Sequence, residues 1–413
     1  MSERPIRNRQ PNGSNIQVSD QPSLRLAIIG AGVAGCSLAA ALCRHGWDGA
    51  SIGLWEAGRG PGGRSATRRS REDPNLRINH GASLFNISSS PPPEVLTPLL
   101  QQGWVEPWTG EIAAINDAAE LLPHAGQDPL LQGRCFQGRP GMEQICEGLL
   151  HQAQGQLTTR YNALIRSLER HRDRWLLKNT EGTVLAESEA LVLTGTLLAH
   201  PRSRLTFGWP TPPLQELAER VQNPALNHAL ASIAALRFEA RSSLLLRVSP
   251  HQAAGWLALP FRLLAFEPTA QQRWGLWRIS IQPQQDGSCA VVAHSNAIFA
   301  AENIGIYGSR SAMARQLGLT ATAEQEQAVM EALETSLLDV LGPWLSPQTL
   351  ERSERQLMRW GAAFPLQPAL PEDLCWNDEL QIGFCGDFMA GQGFGRVEGA
   401  MQSAEQLARR LAG

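Results

Sequence analysis

The stretch Leu26-Ala-Ile-Ile-Gly-Ala-Gly-Val-Ala-Gly35 decides the fold of this 413-residue chain. Its apolar start predicts a buried parallel strand, and the Ala-rich run from Val33 to Leu42 predicts the helix that follows. Gly30 permits the tight turn, Gly32 lets a pyrophosphate approach the backbone, and Gly35 lets helix and strand pack closely. The free N–H groups of the first helical residues would face the phosphates. We therefore expect a dinucleotide-binding strand, turn and helix here.

An acidic residue ends the next apolar run. Ser51-Ile-Gly-Leu-Trp55 predicts a second strand, and Glu56 follows it about twenty residues after the third glycine. A carboxylate at this position can accept hydrogen bonds from both hydroxyls of an adenosine ribose, and it repels a 2′-phosphate. The spacing therefore strengthens the dinucleotide interpretation and disfavours NADP at this site.

A second glycine-rich segment, Gly58-Arg-Gly-Pro-Gly-Gly-Arg64, comes directly after this strand. Its paired glycines beside Arg59 and Arg64 predict another phosphate-facing loop, because a guanidinium can hold phosphate oxygens with two parallel bonds. The segment resembles the second fingerprint of the flavoprotein superfamily that contains amine oxidases, phytoene desaturases and renalases. Gly62-Gly-Arg-Ser-Ala-Thr-Arg-Arg69 is most similar to the renalase branch. This resemblance implies that the dinucleotide is FAD.

Further segments resemble the renalase branch in the same chain order. They are Asn79-His-Gly-Ala-Ser-Leu-Phe85, Gly138-Arg-Pro-Gly-Met142, Ile165-x-x-Leu168 with Arg174-Trp-Leu-Leu177, Met358-Arg-Trp360, Gly383-Phe-Cys-Gly-Asp387 and Gly395-Arg-Val-Glu-Gly-Ala400. The resemblance spans residues 24 to 412 and is thin between about 200 and 350. Asn79 stands where the family commonly has an acid.

The resemblance also implies which residues contact FAD. Asp387 would accept hydrogen bonds from the ribityl chain, and the backbone near Ile165 would flank the adenine. The helix that begins at Arg396 would point its N-terminus at the pyrimidine edge of the isoalloxazine, where its dipole favours the reduced anion. The expected FAD contacts are Gly30, Gly32, Val33, Ala34, Gly35, Glu56, Ala57, Arg59, Gly62, Gly63, Arg64, Ile165, Gly386, Asp387, Arg396 and Val397. His80 and Trp360 are the substrate-side candidates, His80 to orient substrate or carry a proton and Trp360 to line the pocket.

Composition is typical of a soluble globular enzyme with a small-molecule substrate. The net charge is −3, and no run of like charges suggests a nucleic acid or an anionic membrane as partner. The seven cysteines include no C-x-x-C pair, so the sequence predicts neither a disulfide framework nor a metal site. Residues 1–23 lack the apolar segment of a secretory signal and predict a disordered tail. We expect a cytoplasmic protein without stable membrane insertion.

The order of the motifs predicts an α/β fold with two interleaved domains. A Rossmann-like FAD domain of the glutathione reductase type would be discontinuous, comprising residues 24–90, 141–200 and 375–413. Residues 91–140 and 201–374 would form an α+β substrate domain on a mixed or antiparallel sheet. Its predicted strands are Ala234–Val248, Trp256–Phe266, Arg273–Ile281 and Cys289–Ser295, and Ala323–Leu341 predicts an amphipathic helix.

Lysine and tyrosine usage bears on the reaction. The single lysine, Lys178, lies in a predicted hairpin, and the only tyrosines are Tyr161 and Tyr307. Amine oxidases of the resembled superfamily place a lysine near flavin N5 and often frame the substrate with tyrosines, so an orthodox amine oxidase site is disfavoured.

A renalase-like reaction asks less of the side chains. A dihydronicotinamide, such as an isomer of NAD(P)H, gives its hydride to flavin N5 without loss of a proton, and the resemblance implies oxygen as the final acceptor. An amine oxidase or a polyene desaturase of the same fold remains the alternative. So does a binding protein that keeps the fold without catalysis.

Overall fold

A computed structural model describes residues 24–70, 73, 75–124, 128–153, 157–309, 321–346, 349 and 353–413. The predicted tail over residues 1–23 lies outside the described residues. The strands are β1 (Leu24–Ile29), β2 (Ile52–Trp55), β3 (Thr67–Arg69), β4 (Arg77–Asn79), β5 (Phe85–Ile87), β6 (Val105–Pro107), β7 (Ile112–Ile115), β8 (Leu121–Pro123), β9 (Arg134–Gly138), β10 (Thr158–Arg160), β11 (Ser167–His171), β12 (Arg174–Lys178), β13 (Val184–Leu193), β14 (Arg237–Val248), β15 (Leu263–Phe266), β16 (Leu276–Pro283), β17 (Cys289–Ser295), β18 (Glu354–Leu366), β19 (Trp376–Asn377) and β20 (Ile382–Phe384).

The α-helices of the described residues are α1 (Val33–Arg44), α2 (Leu96–Gln101), α3 (Gln144–Gln152), α4 (Ser203–Phe207), α5 (Pro213–Val221), α6 (Pro224–Ala235), α7 (Pro250–Leu257), α8 (Pro268–Trp274), α9 (Ala297–Glu302), α10 (Ala323–Leu341) and α11 (Val397–Ala412). Among them, none has both the length and the apolar character needed to cross a lipid bilayer.

The first large sheet is parallel at its centre. Its parallel strands lie in the order β10, β2, β1, β13 and β20. The hairpin β11–β12 pairs antiparallel with β13, and β19 pairs antiparallel with β20. Because a parallel sheet needs cover on its faces, the Ala-rich α1 is buried and packs against α3 and α11. This is the Rossmann-like arrangement that the sequence predicts.

The second large sheet is mixed, in the order β18, β14, β17, β16, β15, β7 and β8, with β15 and β7 parallel. Alternate residues of a strand point to opposite faces, and here the two faces differ in chemistry. One face carries apolar residues such as Leu244, Ile279 and Val291, which share a buried core with Leu333 and Leu337 of α10. The predicted α/β fold with a second, mixed sheet is therefore confirmed.

The predicted elements of the second sheet agree in part with the observed ones. Strand Cys289–Ser295 and helix Ala323–Leu341 have the predicted bounds. The segment predicted as a strand from Trp256 instead ends α7 before β15 begins at Leu263, and the predicted strand from Arg273 begins inside α8. Both helices have proline at a first-turn position, which favours helix initiation. Their aromatic residues are common in strands and led to the strand prediction.

The predicted domain boundaries also differ from the packing. The predicted second domain begins at residue 201, but Leu214 and Leu217 of α5 and Leu230 and Ile233 of α6 are buried in the same core as the parallel sheet. Helix α5 lies against β11, where its apolar side is covered. Strands β6 and β9, predicted for the second domain, pair into a small sheet with β5 instead.

Candidate functional site

One large cavity of about 1110 Å³ lies between the parallel sheet and the second sheet. Pockets that bury drug-sized ligands usually measure about 300–1,000 Å³, so this cavity has room for a larger, extended molecule. Every expected FAD contact except Gly35 lines it, and both substrate-side candidates, His80 and Trp360, line it as well. The chain thus brings residues from both of its ends, and from the second sheet, to a single cavity.

The first turn places a helix N-terminus at the cavity. Gly30 has φ +112°, and a Cβ there would lie 2.4 Å from Thr194 Oγ1. A Cβ on Gly35 would lie 2.0 Å from the Gly30 carbonyl oxygen, so Gly35 acts by close packing behind the cavity rather than by lining it. A Cβ on Gly32 would find no atom within 4 Å. Helix α1 has no side-chain cap at Gly32, so its first N–H groups remain available to an anion.

Two backbone N–H groups hold the Glu56 carboxylate in place. Its Oε2 accepts a hydrogen bond from the Ala31 N–H at 2.9 Å, and its Oε1 accepts one from the Gly58 N–H at 2.6 Å. An ionised carboxylate has about four lone-pair sites, so each oxygen keeps capacity for another donor. Ala57 and the buried Ile165 line the same part of the cavity.

The second glycine loop lies beside the first turn. The Gly62 N–H donates to the Ala31 carbonyl at 2.9 Å, and Gly32 and Gly62 form an isolated parallel bridge. Gly63 has φ +55°, and a Cβ there would lie 3.4 Å from the Gly32 Cα. The two glycine-rich segments therefore form one continuous wall of backbone, with Arg59 exposed at its edge.

An ion pair between Arg64 and Asp387 connects the second glycine-rich loop with the segment that leads into the last helix, α11. The guanidinium donates two hydrogen bonds to the carboxylate, Nη1 to Oδ2 at 2.7 Å and Nη2 to Oδ1 at 2.6 Å, and Nη1 also donates to the Ala363 carbonyl. Burial alone would lower the pKa of Arg64, but the Asp387 carboxylate raises it above its usual value. The sequence assigned Arg64 to a phosphate and Asp387 to the ribityl chain, whereas the structure pairs them with each other.

The C-terminal helix α11 begins at the cavity, with Arg396 as its N-cap residue and no side-chain cap. The Arg396 guanidinium donates to Glu398, with Nη2 and Oε2 2.9 Å apart, and to the Ser88 hydroxyl at 3.0 Å. Glu398 is 0 % exposed and also accepts from the Ser88 and Ser89 N–H groups. Since the Arg396 side chain is engaged in this way, a ligand at the start of α11 would meet the backbone of Arg396 and Val397.

His80 and Trp360 lie together on the substrate side. The Trp360 Nε1–H donates to the His80 carbonyl at 3.1 Å, and the ring centroids are 5.3 Å apart. Burial, with a contribution from Arg68, lowers the pKa of His80 to about 4, so the imidazole is neutral near pH 7. Its buried Nδ1 has no hydrogen-bond partner among the described residues. A neutral ring in the cavity wall can orient a substrate, but it is not an imidazolium that could donate a proton at neutral pH.

Sequence reasoning missed a set of residues on the cavity face of the second sheet. They are Arg241, Trp277, Arg278, His294 and Phe364, here called the arginine chamber, together with Arg202, Tyr307 and Arg359 elsewhere on the wall. The available signal was an arginine inside each of two predicted strands, Arg241 in Ala234–Val248 and Arg278 in Arg273–Ile281. That signal does not reveal which face of the strand the arginine occupies.

The lysine and the two tyrosines have different environments. Lys178 Nζ pairs with Glu169 Oε2 at 2.6 Å on the hairpin, and Lys178 is not among the residues that line the cavity. Tyr161 and Tyr307 both line it. Burial raises the pKa of Tyr161 to about 12, which keeps its hydroxyl protonated. Within the described residues, no group of three or more His, Cys, Asp or Glu side chains is placed to hold a metal ion.

Comparison with known proteins agrees with this fold. A family model described as an NAD(P)-binding Rossmann-like domain matches residues 28–101. No curated protein matches the chain in sequence.

Solved structures match over nearly the whole chain. A putative protoporphyrinogen oxidase from Exiguobacterium sp. 255-15 is 13% identical with a TM-score of 0.59, and the match covers 95% of this chain and 99% of that chain. Cyclohexylamine oxidase from Brevibacterium oxydans IH-35A is 14% identical with a TM-score of 0.62 and the same coverage of both chains. Putrescine oxidase bound to putrescine is 13% identical with a TM-score of 0.59, covering 94% of this chain and 99% of that chain. The chain shares the fold of these oxidases.

Proposed function

We propose that this protein is an FAD-dependent oxidoreductase that takes a hydride from a dihydronicotinamide, such as an isomer of NAD(P)H, or from a related small substrate. One observation carries the proposal. A single cavity is lined by two glycine-rich loops, by the Glu56 carboxylate and by the N-terminus of α11. The substrate-side residues form another part of its wall. That order of features along one groove fits an extended adenine–flavin dinucleotide with its reactive end toward the second sheet.

The residues present fit FAD at each segment of the groove. The uncapped start of α1 at Gly32 suits the pyrophosphate, because no atom would oppose even a Cβ there. Glu56 suits the adenosine ribose, since each of its oxygens keeps lone-pair capacity. The backbone at Arg396 and Val397 suits the flavin edge. Bound FAD would supply the hydride acceptor at its N5 position.

The chain itself supplies orientation and exclusion of water. Trp360 is fixed by its bond to the His80 carbonyl, so the two rings form a rigid part of the wall. The His80 imidazole lines the cavity, and because it is neutral near pH 7 it places no charge against a substrate. Hydride donation by a dihydronicotinamide requires no proton removal, which agrees with a site whose histidine is a weak base because its pKa is lowered to about 4.

The environment of Lys178 favours this reaction over amine oxidation. The single lysine is paired with Glu169 on the hairpin and does not line the cavity, so it is not placed to serve at the flavin. A polyene desaturase is disfavoured because the buried, charged Arg241 and Arg278 lie among the residues that line the substrate side. Amine oxidation stays the second candidate, since Tyr161 and Tyr307 line the cavity and solved oxidases of amines share the fold.

The test begins with the colour of the purified protein and the flavin absorbance after incubation with FAD. Anaerobic mixing follows, with isomers of NADH reduced at different ring positions, with NADH, with primary amines and with a polyene. We expect rapid bleaching by at least one dihydronicotinamide and recovery of colour when oxygen is admitted. Bleaching by amines alone would overturn the proposal, and a protein that stays colourless with FAD would point to a binding function.

A further inference from the structure

We propose that the arginine chamber binds an oxyanion of the substrate, a carboxylate or a phosphate, through Arg241 and Arg278. The inference deepens the proposed function, on which it rests for the identity of the cavity's occupant, by naming a substrate class. The two arginines lie on the face of the second sheet that lines the cavity. Arg241 of β14 is opposite Trp360 of β18, and Arg278 of β16 is opposite His294 of β17.

Arg241 and Arg278 are both buried, which is costly for a charged side chain. Arg241 is 6% exposed and Arg278 is 7% exposed, and burial lowers the pKa of both. The apolar core of the second sheet lies on the other face of the same strands, so the two arginines are not part of that core. Buried guanidinium groups in a sheet need a reason beyond packing.

The hydrogen bonding of the two guanidinium groups is incomplete. Arg241 Nη2 pairs with Glu239 at 2.6 Å, and Arg278 Nη2 pairs with Asp128 at 2.5 Å. The Nε–H of each arginine is buried and has no partner among the described residues. The carboxylates thus balance the charge of the arginines through one edge of each guanidinium, while the Nε–H group has no acceptor among the described residues.

Aromatic rings hold the two guanidinium groups in a fixed orientation. The guanidinium carbon of Arg278 lies 4.2 Å from the Trp277 ring centroid, and that of Arg241 lies 5.0 Å from the same ring. Arg241 also lies 5.4 Å from the Phe364 ring. Stacking on aromatic rings holds the planar guanidinium in orientation while leaving its edges open, which suits recognition of planar or tetrahedral oxyanions.

The side chains of the arginine chamber are mainly hydrogen-bond donors. Arginine has five N–H donors and no acceptor, and the Trp277 indole is also donor only. The imidazole of His294 has its Nδ1 2.7 Å from the Ser243 hydroxyl, and burial beside both arginines lowers its pKa to about 3. The chamber therefore presents donors to a ligand. An oxyanion satisfies them, whereas a protonated amine leaves them unpaired.

The experiment separates binding of the anion from turnover. FAD-loaded protein is titrated calorimetrically with benzoate and with phenyl phosphate, for the wild type, Arg241→Gln, Arg278→Gln and the control Arg237→Gln. Arg237 lies on the same strand, is exposed and does not line the cavity. We expect one of the two anions to bind the wild type and the control alike, and to bind each chamber variant about 10- to 100-fold more weakly. The anion that binds identifies a carboxylate or a phosphate as the natural group.

A kinetic comparison adds a second readout. Dihydronicotinamide mononucleotide and its riboside differ by one phosphate. For a phosphate site, Arg278→Gln raises KM for the mononucleotide by at least 10-fold, leaves kcat nearly constant and leaves the riboside unaffected. Arg241→Lys, which keeps the charge, serves where Arg241→Gln fails to fold, and it should also lose affinity because lysine lacks the planar guanidinium with its Nε–H donor.

Two results would overturn the inference: neither anion binds the wild type, or the chamber variants bind the anions as the control does. If anions bind through the arginines while no dihydronicotinamide bleaches the flavin, the proposed function fails and the oxyanion site stands. The two ideas therefore fail separately.

Discussion

Arg64 and Asp387 stand 323 positions apart in the chain, yet their side chains form a two-bond ion pair of 2.7 and 2.6 Å. The pair connects the second glycine loop with the motif that leads into α11. Both residues line the cavity, so the pair lies in its wall, where segments from distant parts of the chain meet. The contact with the Ala363 carbonyl extends the same connection to β18 of the second sheet.

A double-mutant cycle on this pair tests its role. The Arg64 side chain is partly exposed and that of Asp387 is buried, so we expect Arg64→Gln and Asp387→Asn each to cost about 1–3 kcal/mol, between exposed and buried pairs. The free energies of urea unfolding of the FAD-free variants should be clearly non-additive. Additive losses would show that the two side chains act independently. Both variants should also release FAD more readily than the wild type.

A glycine pair separates packing from ligand binding. Gly35→Ala places a methyl group 2.0 Å from the Gly30 carbonyl oxygen, so we expect a loss of about 1–3 kcal/mol in unfolding free energy. Gly32→Ala meets no atom within 4 Å and has φ −77°, so its stability should change by less than about 0.5 kcal/mol. Its affinity for FAD, the cofactor we propose, should fall at least about 10-fold when followed by flavin fluorescence, because the pyrophosphate would approach the backbone there. Equal stability losses in the two variants would contradict this division of roles.

The sequence predicted those features whose cause is local. The turn at Gly30, the strand that ends before Glu56 and the helix Ala323–Leu341 each follow from neighbouring residues, and the structure has them. The end of helix Pro250–Leu257 was predicted as a strand because aromatic residues such as Trp256 are typical of strands.

The arginine chamber was missed for a different reason. Arg241 and Arg278 are far apart in sequence, and they lie near one ring, Trp277, only because β16 and β17 pair beside β14. Strand order is a long-range property that alternation within one strand does not encode. For the same reason, the sequence did not anticipate that Arg64 would meet Asp387.

The buried Glu398 should be among the most costly residues to remove. It is 0% exposed and accepts bonds from the Ser88 and Ser89 backbones, as well as from the nearly buried Arg396. Glu398→Ala would leave a buried guanidinium and two N–H groups without their acceptor, and we expect a loss of about 3–5 kcal/mol. Glu219→Gln, on an exposed position of α5, should change stability by less than about 0.5 kcal/mol. Urea unfolding measures both, and a near-neutral Glu398→Ala would contradict the assignment.

Two buried histidines should make the fold sensitive to mild acid. Burial lowers the pKa of His80 to about 4 and that of His294 to about 3, with contributions from Arg68 and Arg59 for the former and from Arg278 and Arg241 for the latter. In the unfolded chain both titrate near the ordinary value of about 6.5. Stability is therefore full above about pH 6.5 and falls as the pH drops toward 4, because the unfolded state takes up protons first. Each histidine contributes up to about 1.4 kcal/mol per pH unit.

The measurement compares urea unfolding at pH 7.5 and pH 5 for the wild type, His294→Asn and the double variant with His80→Asn. We expect the pH dependence to decrease stepwise with each replacement. Part of it should remain, because burial also lowers the pKa of His200. Glu334 and Glu405 act in the opposite direction, since burial raises their pKa values and the folded state takes up their protons first. A double variant with the full wild-type slope would show that neither imidazole is held neutral by the fold.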